Sequence, residues 1–323
     1  MSHFNNSNTS IGNVDEKNKF VTYYPFTLII VGTLFNFFTF TILCRSTFRD
    51  TNKRPTIHYM RTIAIFDILM LYGWNLDHYL DGAYGFVLQT YSIPFCKFCS
   101  FLNYFASQVS AWLRVFICLD RYLSLSRLHK TWFSQSRNVL IIIISIIIVF
   151  TIINFHFFLF ACYYDKDGTV NPQARLYNIY PLWDSMNLGL YNCVPFAFMV
   201  LFNSGVIYHL IRLRQTSIIQ NSRIQHRSIS VTLVITTFLF LIMTTPATIC
   251  FAFFSSTAGY FLLHLFDSIL YTYHILSFCI YLITFREFRQ EVFRLIIPNI
   301  RYRIQPISLQ LIKTRKQRKL NSC

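Results

Sequence analysis

The chain has 323 residues, 54% of them hydrophobic and 18% aromatic, with only 13% charged yet a formal net charge of +16. The apolar content excludes a disordered chain, nine glycines and nine prolines exclude a collagenous one, and nine cysteines over this length exclude a small disulfide scaffold. What remains is a large soluble domain or a polytopic membrane protein, and the placement of the charges decides between them.

The first twenty residues are polar and carry two glycosylation sequons, at Asn5 and Asn8. They hold no apolar stretch followed by a cleavage site, so no cleavable signal peptide is expected. Seven apolar runs follow: Tyr23 to Cys44, Tyr59 to Leu80, Cys96 to Tyr122, Val139 to Ala161, Leu182 to Ile211, Ile229 to Phe254 and Tyr260 to Phe285. Each is long enough to span, since a bilayer core takes about 20 residues of helix and leaves the backbone no cheaper option. The fourth, almost unbroken isoleucine from Ile141 to Ile148, is apolar on every face. The second and seventh carry acids and are weaker. The expected fold is an all-α membrane protein, a seven-transmembrane helix bundle. It divides into an N-terminal segment (1–22), the bundle with a juxtamembrane helix (23–297) and a basic tail (298–323).

Lys and Arg fall on one side of this arrangement. The connections after runs 1, 3 and 5 with the adjoining run ends, together with the tail, hold 23 of the 29; the other side holds five, and Arg114 alone lies deep within a run. The positive-inside rule makes the crowded side the cytoplasm, and an odd number of spans then places the sequons outside. The excess of positive charge is thus a topology signal, and no nucleic-acid partner is implied.

At the inner end of run 3 stands Asp120-Arg121-Tyr122. With Asn36 in run 1, Ala64-Ile65-Phe66-Asp67 in run 2, Pro195 in run 5, Phe240 and Pro246 in run 6, and Tyr281 in run 7, it makes the sequence resemble the rhodopsin-like (class A) G-protein-coupled receptors across all seven runs. The departures are as visible. Thr244 stands where the family has Trp, and Ser277 and Phe278 replace the Asn and Pro before Tyr281. Run 4 lacks its Trp, and Asn203 replaces a Tyr. With these losses the chain looks most like divergent invertebrate neuropeptide receptors, the FMRFamide-receptor-like group included.

The resemblance implies roles. Asp120, Arg121, Tyr122, Pro246 and Tyr281 would serve activation and coupling to a heterotrimeric G protein. Cys96 has the family spacing for a disulfide to the loop after run 4, which offers Cys162; Cys99, one turn on, is the rival. Asp67, an intramembrane acid costing roughly 2.5 kcal/mol or more, is functional by default, although a protonated helix contact is the plainer reading. In the family this acid anchors sodium with help from the position of Ser110, but Arg114 offers an internal ion pair instead. On the outer half, Asp77, Asn103, Phe251, Asp267 and Tyr271 are expected on the ligand pocket, and Asp81 and Asp184 as solvated helix ends. Asn103 occupies the position where amine receptors carry Asp. An acidic mouth without that anchor suits a peptide bearing Arg or Lys, since a desolvated carboxylate takes Arg through paired charged hydrogen bonds.

Two further elements are expected. Asp165-Lys166-Asp167-Gly168 reads as a hairpin turn, and Phe285, Phe288, Val292, Leu295 and Ile296 mark an amphipathic helix lying on the inner leaflet, where lipid is the partner. No nucleophile, base and orienting group, and no His-rich cluster, recurs at usable spacing, so an enzyme is the least expected class and no cofactor is implied. The rival to a receptor is a seven-span chemosensory channel or transporter.

Overall fold

A computed structural model describes residues 8–48, 55–126, 135–175, 177, 179, 182–215, 220–255 and 257–296. Asn5, much of the basic loops and the tail from 298 onwards lie outside the described residues. Five segments are long and apolar enough to cross a bilayer: Thr22–Leu43, Ser136–Phe160, Leu182–Arg212, Val231–Phe254 and Phe261–Thr284. The chain is therefore a helical, multi-pass membrane protein.

The first helix, α1 (Asn8–Leu43), runs through the expected boundary at residue 22 without a break. Its C-terminal carbonyls would be orphaned, and Arg61 supplies the remedy, its Nε and Nη2 donating to Leu43 O at 3.1 and 2.6 Å. Run 2, expected as one span, is two helices, α2 (Thr56–Leu71) and α3 (Trp74–Tyr84), broken at Tyr72–Gly73. Gly73 lies so close to run 3 that a Cβ there would stand 3.2 Å from Asn103 Oδ1. The break lets the Trp74 ring turn inward, edge-on to Tyr104 with centroids 5.4 Å apart. A short α4 (Leu88–Tyr91) leads into α5 (Ile93–Leu125), the central helix, buried on nearly every turn and packed against α2 and its later neighbours.

The fourth run is helical to Phe160, as expected, with one break at Phe155. The helix α6 (Ser136–Asn154) ends where Phe155 N closes a turn on Ile152 O, and α7 (His156–Phe160) leads into strand β1 (Ala161–Tyr164). β1 pairs antiparallel with β2 (Val170–Ala174). The turn is the one expected at Asp165–Gly168, with Gly168 at φ +81, a conformation glycine takes without strain. Hydrogen bonds from the Thr169 side chain and backbone hold the Asp167 carboxyl below the usual carboxylate range. Cys162, joined to Cys96, anchors the hairpin to the start of α5, and Cys99 is a buried free thiol.

Run 5 is also composite: α8 (Leu182–Asn187), one stretch of π-helix (Leu188–Cys193) and α9 (Val194–Gln215). Then come α10 (Gln220–Phe254), α11 (Tyr260–Thr284) and α12 (Arg286–Ile296). Phe288 and Val292 of α12 are buried, Phe288 meeting the rings of Phe278 and Tyr281 at 5.8 and 5.7 Å. Leu295 and Ile296, at the end of the expected apolar stripe, are exposed on the protein.

Candidate functional site

The polar residues of the core form four levels along α5. At the level of Arg121, Thr56 at the start of α2 joins both partners of the acid–base pair. Its hydroxyl donates to Asp120 Oδ2 at 2.7 Å and accepts from Arg121 Nη2. Asp120 and Arg121 themselves stand 4.0 Å apart. Tyr122 turns the other way, its ring 6.2 Å from Phe202 on α9. Tyr281 is buried against α12 and lines a small apolar cavity with Met60, Ile117 and Leu233. Pro246 lies within the continuous helix α10, well away from this level.

At mid-height Asp67 is fully buried and meets four donors. Arg114 Nη2 reaches Oδ2 at 2.7 Å, Ser110 Oγ reaches Oδ1 at 2.7 Å, His274 Nδ1 stands 2.8 Å from Oδ1, and Ser277 Oγ is 3.4 Å from Oδ2. Arg114 also donates to Ser110 Oγ, and its guanidinium lies over the Tyr273 ring at 5.0 Å. The far nitrogen of His274 is 3.2 Å from Tyr191 Oη, and Asn36 Nδ2 donates to His274 O at 3.1 Å. α1, α2, α5, α11 and the π-helical stretch therefore meet in one network. The Arg114 guanidinium already pairs with the carboxylate, and a second cation there would be repelled by it, so the residues present do not make a sodium site at Asp67.

His274 was not legible as a site residue. Its only signal is an imidazole three residues before Ser277, and its partner acid lies 207 residues away.

One step outward, the π-helical stretch places Asn192 against α10. Asn192 Nδ2 donates to Thr244 Oγ1 at 2.7 Å, and Thr245 Oγ1 donates to Asn192 Oδ1 at 2.9 Å. The widened turn exposes a carbonyl as well, which Trp112 takes by donating from Nε1 to Leu190 O at 2.9 Å. Thr244, the position without its Trp, thus holds a polar bridge between the fifth and sixth runs.

The outermost level is a cavity of about 30 Å³, room for roughly two waters. Asn103, Phe251, Asp267 and Tyr271 line it, together with Trp74, Tyr104 and Asp184. Tyr271 Oη donates to Asn103 Oδ1 at 3.0 Å, and Tyr104 Oη donates to Asp184 Oδ1 at 2.6 Å. Two expectations change here. Asp77 is not in the lining: its Oδ1 accepts from the backbone N–H of Leu88 and Gln89 at 2.5 and 3.3 Å, because those donors open α4 and have no partner within so short a helix. Asp184, expected at a solvated helix end, is buried in the lining instead, because the composite run 5 turns it toward Tyr104.

Asn8 begins α1 without its side chain being described. No family model and no curated protein matches the chain.

Proposed function

We propose that this chain is a seven-span plasma-membrane receptor of the rhodopsin-like class, with its N-terminus outside, that binds an extracellular peptide and activates a heterotrimeric G protein. The observation that carries the reading is Thr56 holding Asp120 and Arg121 together, a closed polar clasp at the side the positive-inside rule assigns to the cytoplasm. Such a clasp keeps a buried arginine from a partner until the helices separate. At the opposite end a disulfide-tethered hairpin and a cavity lined by Asp184 and Asp267 offer a small acidic recess. The recess is too tight for a peptide backbone, so one basic side chain enters it and the rest of the ligand lies under the hairpin. A ligand shifts the equilibrium only by its differential affinity for the two arrangements.

The test is a neuropeptide library applied to cells expressing the chain, read by calcium and cyclic AMP. A peptide agonist whose potency falls in Asp184→Asn and Asp267→Asn supports the reading. A response to basic peptides unchanged by both substitutions rejects the acidic recess. The rival channel has the opposite topology, so an epitope at the N-terminus that stains only permeabilised cells rejects the receptor.

A further inference from the structure

A far wider cavity than the acidic recess lies between α10 and α11, about 390 Å³ against about 30 Å³. That size falls in the roughly 300–1,000 Å³ range of small-molecule sites. Pro246, Cys250 and Ala258 make room for it with small side chains, and Ile249, Phe254 and Leu262 stand at its rim, 38%, 52% and 41% exposed. The two cavities share no lining residue: on α10, Thr248 and Phe251 line the recess, whereas Ile249 and Cys250 line the wider cavity. Successive helical residues turn by about 100°, so the wider cavity is a groove on the outside of the bundle. Its walls belong to Val231–Phe254 and Phe261–Thr284, two of the segments able to cross a bilayer, and the groove is therefore continuous with the surface that lipid covers.

The chemistry of the groove selects among lipids. From Ser228 to Phe266 the chain has no Lys, Arg, Asp or Glu, so neither the walls nor the turn at the mouth offers a counter-charge to a phosphate or carboxylate. A lone hydroxyl is matched: Thr257 is exposed at the mouth and spends its proton on Phe254 O at 3.4 Å, which leaves its oxygen free to accept. Pro246 lies eight residues below Phe254, about 12 Å along the helix. Half of a bilayer core is about 15 Å, so an occupant reaches from the turn through most of one leaflet. A flexible acyl chain loses conformational freedom in a fixed notch of this kind, and a rigid ring system does not.

We propose that the groove between α10 and α11 binds one sterol from the surrounding bilayer, its rings against Pro246 and Cys250 and its hydroxyl at Thr257. Phe266 and Asp267 are neighbours on α11, the first lining the groove and the second the recess. A bound sterol therefore braces the wall of the recess from behind. The site requires only that the two segments span a bilayer, and it stands whether or not the receptor reading does.

The test places the full-length chain in phosphatidylcholine nanodiscs with a cholesterol that carries a photoreactive diazirine on its rings. A parallel sample carries the diazirine on a phosphatidylcholine acyl chain, and mass spectrometry locates the labelled peptides. The expected result is cholesterol labelling within residues 246–266 that excess plain cholesterol displaces. Labelling there is lost in Ile249→Trp/Leu262→Trp, which fills the groove from its exposed rim; if that variant fails to fold, Leu262→Trp alone takes its place. Phospholipid labelling of the same segment falls when cholesterol is added. Cholesterol labelling confined to other segments, undisplaced by excess cholesterol or undiminished in the folded variant overturns the proposal, and so does phospholipid labelling of the groove that cholesterol does not reduce.

Discussion

Arg114 Nη2 and Asp67 Oδ2 lie 2.7 Å apart at a level sealed from the surface, with side-chain exposures of 7% and 0%. Each charge is tolerable there only because of the other. Arg114→Leu is expected to destabilise by about 3–5 kcal/mol, since it leaves the carboxylate with His274 and two hydroxyls for company. Asp67→Leu should cost a similar amount. The double variant Arg114→Leu/Asp67→Leu should restore much of the loss, a non-additivity that thermal unfolding in detergent measures directly.

The Asn192 bridge predicts coupling between the π-helical stretch and α10. Asn192→Leu against Thr244→Val/Thr245→Val should give a coupling energy of about 1 kcal/mol, at roughly 0.6 kcal/mol for each interhelical bond. Additive effects would mean that the bridge carries no energy. Under the receptor reading Asn192→Leu also raises ligand-independent output, because the bridge holds the two helices in their present arrangement.

Thr56 makes a sharper functional prediction. Thr56→Val keeps the shape and removes the hydroxyl that joins Asp120 to Arg121. Basal cyclic AMP or calcium signalling in expressing cells should shift, whereas Thr56→Ser should behave as the parent. Equal behaviour of the two variants would show that the hydroxyl is not the clasp.

The disulfide predicts an asymmetry between neighbouring cysteines. Cys96→Ser or Cys162→Ser should cost about 2–4 kcal/mol and free the hairpin for proteolysis. Cys99→Ser, one turn along the same helix, should have little effect on either, because Cys99 forms no disulfide among the described residues.

Much of this architecture was legible in the sequence, for reasons that also explain the gaps. Bilayer thickness imposes length on every span, so the runs around Ile141 and Phe240 reveal themselves by hydropathy alone. The Asp67–Arg114 pair was legible because an intramembrane charge has to find a partner. The break at Gly73 was not, since a glycine in an apolar run is ordinary and only the nearness of Asn103 makes it necessary. Nor was the π-helical stretch: Leu188 to Cys193 has the composition of any helix, and the extra residue in its turn is set by what Asn192 and Leu190 meet on α10 and α5. Asp77 was misplaced because its role belongs to the orphan amides of α4, which no periodicity marks.

α2 has only 16 residues, and neither it nor α5 is among the five segments that are both long and apolar enough to cross a bilayer. Asp67 and Arg114 each add roughly 2.5–3.5 kcal/mol to the insertion of an isolated helix, and Asp120 and Arg121 burden α5 further. In the proposed seven-span arrangement these two helices therefore cannot be threaded into the membrane one at a time by their own hydropathy. They enter as neighbours, each neutralising the other's charge during biosynthesis. In that arrangement the ion pair also serves assembly, and a chain lacking either partner is expected to insert in lower yield than the parent or the double leucine variant.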